Sequence, residues 1–215
     1  MSKASRLRQL LKHPRIWSSG SRDARSHATL STGFSELDER LGGGWPLGVL
    51  TELLLDEEGA GELRMLMPAL AQLSHSGPDV GLDADIAEHW IAWVAPPYIP
   101  YPPALLQHGV NVSRLFVAEA RGPRDALWAM EQSLRSVICR AVLGWLTKVD
   151  DRAMRRLQLA AEAGNSWAVI FRPARFAAAP SPAPLRIRIR AHPEGASLEF
   201  LRNRYGAPGS VCLAC

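Results

Sequence analysis

The chain's most legible chemistry lies in a short acidic, glycine-bearing stretch: Asp56, Glu57, Glu58, Gly59, Gly61 and Glu62. It follows the apolar run Val49–Leu55, which reads as a strand covered on both faces. It precedes Leu63, Met65, Leu66, Met67 and Leu70, spaced as a helix returning across a sheet. Strand, glycine turn and helix are the setting of a phosphate-binding loop, G-x-x-x-x-G-K-[ST]. In such a loop backbone N–H groups and the helix N-terminus hold phosphate, a lysine adds charge and a hydroxyl ligates magnesium. With Gly61 as the second glycine, Asp56 takes the place of the first, and Glu62 and Leu63 replace the lysine and the hydroxyl. A register one residue earlier supplies neither group. Asp56, Glu57, Glu58 and Glu62 would meet a nucleotide with like charge, at about 4 kcal/mol for each pair about 4 Å apart in an effective dielectric near ~20. No cofactor, metal or catalytic group is expected in this loop.

A second set of residues is basic. Leu185-Arg186-Ile187-Arg188-Ile189-Arg190 alternates apolar and cationic side chains, as a strand with one buried and one charged face does. Ser197–Tyr205, with Arg202 and Arg204, pairs with it as a hairpin across the His192–Gly195 turn, and Arg172 and Arg175 precede the Ala/Pro loop 177–184. These arginines are candidate contacts for phosphate or an acidic partner; an edge strand protected by solvated charge is the alternative. The net charge of +4 (25 Lys+Arg against 21 Asp+Glu) is uneven. Residues 1–27 hold seven Lys/Arg against Asp23, hence +6, and residues 184–215 hold five Arg against two Glu, hence +3; the middle is −5. Basic ends on an acidic body point to attachment regions. Leu7, Leu10 and Leu11 would share one face of a short N-terminal helix, and Trp17 follows before the polar linker 18–27, so all four are candidate partner contacts.

The elements that must position these residues alternate. Strands are expected at His89–Ala95, Val112–Glu119, Cys139–Leu146 and Trp167–Phe171, and helices at Ala104–His108, Arg124–Leu134 and Asp151–Gly164, the last capped by Asp150 or Asp151. That order predicts an α/β fold: a mostly parallel sheet flanked by helices on both faces, closed by a C-terminal antiparallel hairpin. Ser35 is expected to cap a helix carrying Leu37 and Leu41, stopped by Gly42–Gly44. Tyr98 and Tyr101 stand in the proline-rich loop PPYIPYPP, either to stack on a ligand or to cover the sheet edge. The organisation divides into a basic arm and linker (1–27), a core (28–183) and an arginine-bearing hairpin and tail (184–215). Cys212 and Cys215 have C-x-x-C spacing but no following helix, so a frayed end is expected rather than a redox or zinc site. No apolar run suits a signal sequence or a membrane span, so a cytoplasmic protein without membrane contact is expected.

The stretch S-T-G-x-x-x-L-D-x-x-L-G-G-G-x-P-x-G (Ser31–Gly48), followed by Glu52 and the acidic loop, resembles the N-terminal part of RecA-type recombinases. With H-P-x-I-W at His13–Trp17, G-G-G-W-P at Gly42–Pro46 and L-T-E-L-L-L at Leu50–Leu55, it is more similar to the ImuA family. Those are RecA-like accessory proteins of SOS-induced translesion DNA synthesis. The resemblance implies a RecA-like core and partners in damage-induced mutagenesis: an ImuB-like Y-family polymerase homologue, an error-prone replicative-type polymerase and RecA, with weak DNA binding as a further possibility. In RecA relatives a catalytic Glu follows the second strand and a magnesium-orienting Asp ends a later one. Pro97 and Gly144 or Trp145 occupy those places here, which implies a scaffold without ATP turnover. SulA-type division inhibitors, which bind the tubulin-like division protein, share parts of the pattern and provide the alternative.

Overall fold

The computed structural model describes residues 28–59, 61–75 and 89–214. The basic leader with Leu7, Leu10, Leu11 and Trp17 lies outside the described residues, as does Cys215. A two-stranded ribbon comes first: β1 (Thr29–Leu30) pairs antiparallel with β2 (Trp45–Pro46), with α1 (Ser35–Leu41) between them. Gly42 ends α1 at φ 75°. The helix entry differs from the expected serine cap. Phe34 occupies the cap position, and the Asp38 carboxylate reaches back to accept from the Thr32 N–H and the Ser31 hydroxyl, both at 2.8 Å.

The main sheet then alternates as β3 (Leu50–Leu55), α2 (Glu62–His75), β4 (Trp90–Val94), α3 (Pro102–Gln107), β5 (Leu115–Ala118), α4 (Pro123–Arg135), β6 (Cys139–Trp145), α5 (Asp151–Gly164) and β7 (Trp167–Pro173). It closes with β8 (Leu185–His192), β9 (Gly195–Asn203) and β10 (Gly209–Ala214). The order across the sheet is β10-β9-β8-β3-β7-β6-β4-β5. From β8 to β5 neighbours run parallel, while β8, β9 and β10 are antiparallel. The expected mixed architecture, mostly parallel with a terminal hairpin, is therefore present. Two local expectations change. Val112–Arg114 is a 3₁₀ turn held by the Asn111 side chain, which shortens the strand to β5. The tail is not a frayed end: Cys212 lies in β10, opposite Ser197 of β9.

The helices sit on both faces because each parallel crossover needs one. Leu37 and Leu41 of α1 and Met65, Leu66 and Leu70 of α2 pack on one face with Leu53, Ile187 and Leu198. Met130 and Leu134 of α4 and Met154 and Leu157 of α5 pack on the other with Leu50, Val142 and Ile170. Close approach is built in at Gly33 (φ 82°), where a Cβ would stand 2.6 Å from Pro68 of α2. Asp150 caps α5 by accepting from the Ala153 N–H at 2.7 Å, as expected.

Helices α4 and α5 are pinned by one carboxylate. Buried Glu131 accepts from Arg135 at 3.2 Å, one helical turn on, and from Arg156 of α5. The Arg156 hydrogen bond, with the charges of both arginines, holds its carboxyl below the ordinary value of 4.5, against the opposing effect of burial. Its folded pKa is depressed, so its stabilisation is fully present above the unfolded value and is lost as pH falls through the folded one. The half-exposed arginines limit this to on the order of 1 kcal/mol. Denaturant melts taken from pH 7 to pH 3 are expected to show a smaller acid-side loss for Glu131→Gln than for wild type, and identical slopes would contradict the assignment.

Candidate functional site

The predicted strand, turn and helix are β3, residues 56–61 and α2, and the loop stands at the C-terminal edge of the parallel strands. In open α/β sheets that edge is where ligands bind. Gly59 and Gly61 adopt φ 82° and 89°. The Gly59 N–H donates to Glu62 Oε1 at 3.0 Å. Glu62 is the first residue of α2 and is buried, so the helix N-terminus already faces a carboxylate of its own chain. Asp56 receives both Arg188 (Nη2 at 2.8 Å, Nε at 3.0 Å) and Arg190 (3.2 Å), while its N–H donates to Ile189 O. Glu57 and Glu58 are exposed.

The neighbouring strand ends are equally altered. Gly144 lies against α4, and a Cβ there would stand 2.5 Å from the sulfur of Met130, itself fully buried. Trp145 stacks on Phe171 with centroids 4.6 Å apart and meets Trp93 at 5.5 Å, so β4, β6 and β7 end in a row of aromatic rings. Pro97 opens the loop beside them. Two adjoining hollows, of about 430 and 360 Å³, share Glu58, Pro97 and Trp145 in their walls.

The arginine row does not form a free cationic face. Glu52, in the middle of β3 and fully buried, binds Arg172 of β7 (2.7 Å) and Arg186 of β8 (2.6 Å), both of them buried as well. Arg186 also donates to the carbonyls of Phe176 (3.0 Å) and Ala177 (3.3 Å), and the Arg172 guanidinium lies 4.3 Å from the Phe176 ring centroid. Arg190 reaches Glu199 at 3.2 Å as well as Asp56, and Arg202 donates to the Ala183 carbonyl at 3.0 Å. Arg172, Arg186, Arg188 and Arg190 thus stand against Glu52, Asp56 and Glu199, which leaves little charge for phosphate. Arg175 and Arg204 are exposed. Glu52 carries a signal of its own in the sequence, since a single acid inside an apolar strand points to buried cations nearby. Among the described residues no group of three or more His, Cys, Asp or Glu is arranged to hold a metal, and no helix is long and apolar enough to cross a membrane.

No protein-family model matches the chain. The cell division inhibitor SulA of Serratia marcescens is 28% identical over 128 residues, 60% of this chain and 70% of that protein. SulA of Yersinia enterocolitica is 27% identical over 138 residues, 64% of this chain and 76% of that protein. The crystal structure of SulA from Pseudomonas aeruginosa matches 58% of this chain and 97% of that one, at 26% identity and a TM-score of 0.44. These relatives overturn the ImuA assignment, and with it the translesion role and the expected partners: the ImuB-like polymerase homologue, the error-prone replicative-type polymerase, RecA and DNA. The physical reason is that the stretch carrying the resemblance, Ser31–Leu70, builds a strand–turn–helix frame that division inhibitors share in part, and a frame does not fix a function.

Removing the shared carboxylate should expose how much the sheet depends on it. Glu52→Gln leaves two buried guanidiniums without a counter-charge, and a loss of about 3–5 kcal/mol in urea unfolding is expected. A loss below about 1 kcal/mol would show that the two arginines are held by their carbonyl and ring contacts instead.

Proposed function

We propose that this chain is a SulA-like inhibitor of cell division that works by contact on the tubulin-like division protein and turns over no nucleotide. The observation carrying the proposal is the similarity to curated division inhibitors, spread over 60–64% of the chain and 70–76% of theirs. The loop geometry supports the non-enzymatic part. An anion site already facing Glu62, flanked by exposed Glu57 and Glu58, disfavours a triphosphate. On this reading the core is a RecA-like fold that retains the strand–turn–helix and has lost the groups for ATP chemistry. The division into basic arm, core and hairpin is proposed with it, the hairpin extending the sheet from β3.

Induced expression in a rod-shaped bacterium is expected to give long filaments with segregated nucleoids, because replication continues while septation stops. Cells of normal length at a verified protein level would refute the inhibitor reading. Separately, ATP with magnesium is expected to leave the thermal midpoint of the purified chain unshifted, since a ligand stabilises only a fold that binds it. A concentration-dependent rise would restore nucleotide binding.

A further inference from the structure

We propose that the hollow between the start of α2 and the loop 95–101 is the docking site for a peptide segment of the division protein, one with a large apolar side chain next to a lysine or arginine. This rests on the division-inhibitor reading and adds the surface and the chemistry of the segment it takes.

The first observation is exposed apolar surface with a fixed shape. Tyr98 is 72% exposed, Ile99 92% and Tyr101 69%, all three line the hollow, and Leu106, 56% exposed, follows five residues after Tyr101. Contiguous apolar exposure of this kind marks contact surfaces. Pro96, Pro97, Pro100, Pro102 and Pro103 punctuate the same stretch, so little chain entropy remains to be lost when a partner binds. The cavity, about 430 Å³, suits one or two large side chains.

The second observation fixes the polarity of the occupant. Glu62 Oε2 and the Trp93 indole Nε1 both belong to residues lining the hollow, and both are buried without a hydrogen-bond partner. Glu62 is 6% and Trp93 3% exposed, so each is an unsatisfied polar atom within an otherwise apolar wall. Both atoms lie beneath the surface of the hollow, so the charge that an occupant meets is set by the exposed carboxylates beside it. Glu58, which lines the hollow, and Glu57, which lines the adjoining one, favour a cation, and Arg64 and His108 also line the hollow. The same carboxylates exclude a phosphate or an acidic segment.

The test uses the full chain and the purified tubulin-like division protein. Wild type is expected to bind it and to block its GTP-dependent assembly; absence of binding would overturn both this proposal and the inhibitor reading. Given wild-type binding, Tyr98→Ala/Tyr101→Ala and Ile99→Asp are each expected to weaken it by about tenfold or more. Glu57→Lys/Glu58→Lys is expected to slow association several-fold and to flatten its salt dependence. All five positions are exposed, so unchanged melting curves should accompany these losses. Wild-type-like affinity in all three variants would sink the docking site and leave the inhibitor reading standing. Hydrogen exchange separates one further occupant. Protection of residues 97–106 is expected only when the partner is added; protection without partner that vanishes on deleting residues 1–27 would place the chain's own basic arm in the hollow and overturn the proposal.

Discussion

The structure turns on the carboxylate of Glu52. β3 is the strand at which the parallel sheet meets the segment that becomes the antiparallel hairpin, and Glu52 lies at its middle with no solvent exposure. Its register partner on β8 is Arg186, and on β7 it faces Ile170, two residues before Arg172. A one-residue slip of β8 would put Arg186 among Leu53, Leu66 and Leu198 and leave Glu52 facing Leu185 or Ile187. The ion triad thus specifies register and strand order more than it adds net stability, since desolvating three charges offsets much of their attraction. The Phe176 ring and the Phe176 and Ala177 carbonyls take up part of the excess positive charge, and for that they need the loop after β7 to fold back over the sheet.

That constraint accounts for where four of the arginines stand. Glu52, Asp56 and Glu199 draw in Arg172, Arg186, Arg188 and Arg190, so the charge of the arginine strand is largely met within the sheet. Surface available for contact lies at the C-terminal strand edge. There the loop backbone is occupied by Glu62, the strand ends are capped by Trp93, Trp145 and Phe171, and the proline-rich loop holds its aromatic residues in water.

Much of the fold was legible because its signals are periodic. The apolar run of β3, the helical spacing of α5 with its Asp150 cap, and the strict alternation of β8 each specify an element with little help from distant residues. The Ser35 cap failed because the helix begins one residue earlier: Phe34 takes the cap position and its carbonyl accepts from the Asp38 N–H, which leaves Ser35 inside the first turn. β10 was hidden because Gly209–Ala214 becomes a strand only by pairing with β9, a tertiary effect no local pattern contains. The ion pairs of the arginine strand were hidden for a related reason. Alternation shows that Arg186 and Ile187 face opposite ways, but whether the arginine side meets solvent or Glu52 depends on a strand more than 130 residues earlier.

The family resemblance failed on different grounds. Ser31–Leu70 is the most specific part of the sequence because its demands are geometric: Gly33 must admit Pro68, Gly42 must end α1, and β3 must be apolar on both faces. Every protein built on this strand–turn–helix meets similar demands, so the stretch identifies a frame and says little about a partner. The discriminating residues are those the frame leaves unconstrained. Tyr98, Ile99 and Tyr101 stabilise no core, and Glu57 and Glu58 sit where a nucleotide-binding loop would avoid charge of that sign. Residues that cost the fold something or leave apolar surface in water, with no structural return, are where a contact function should be sought.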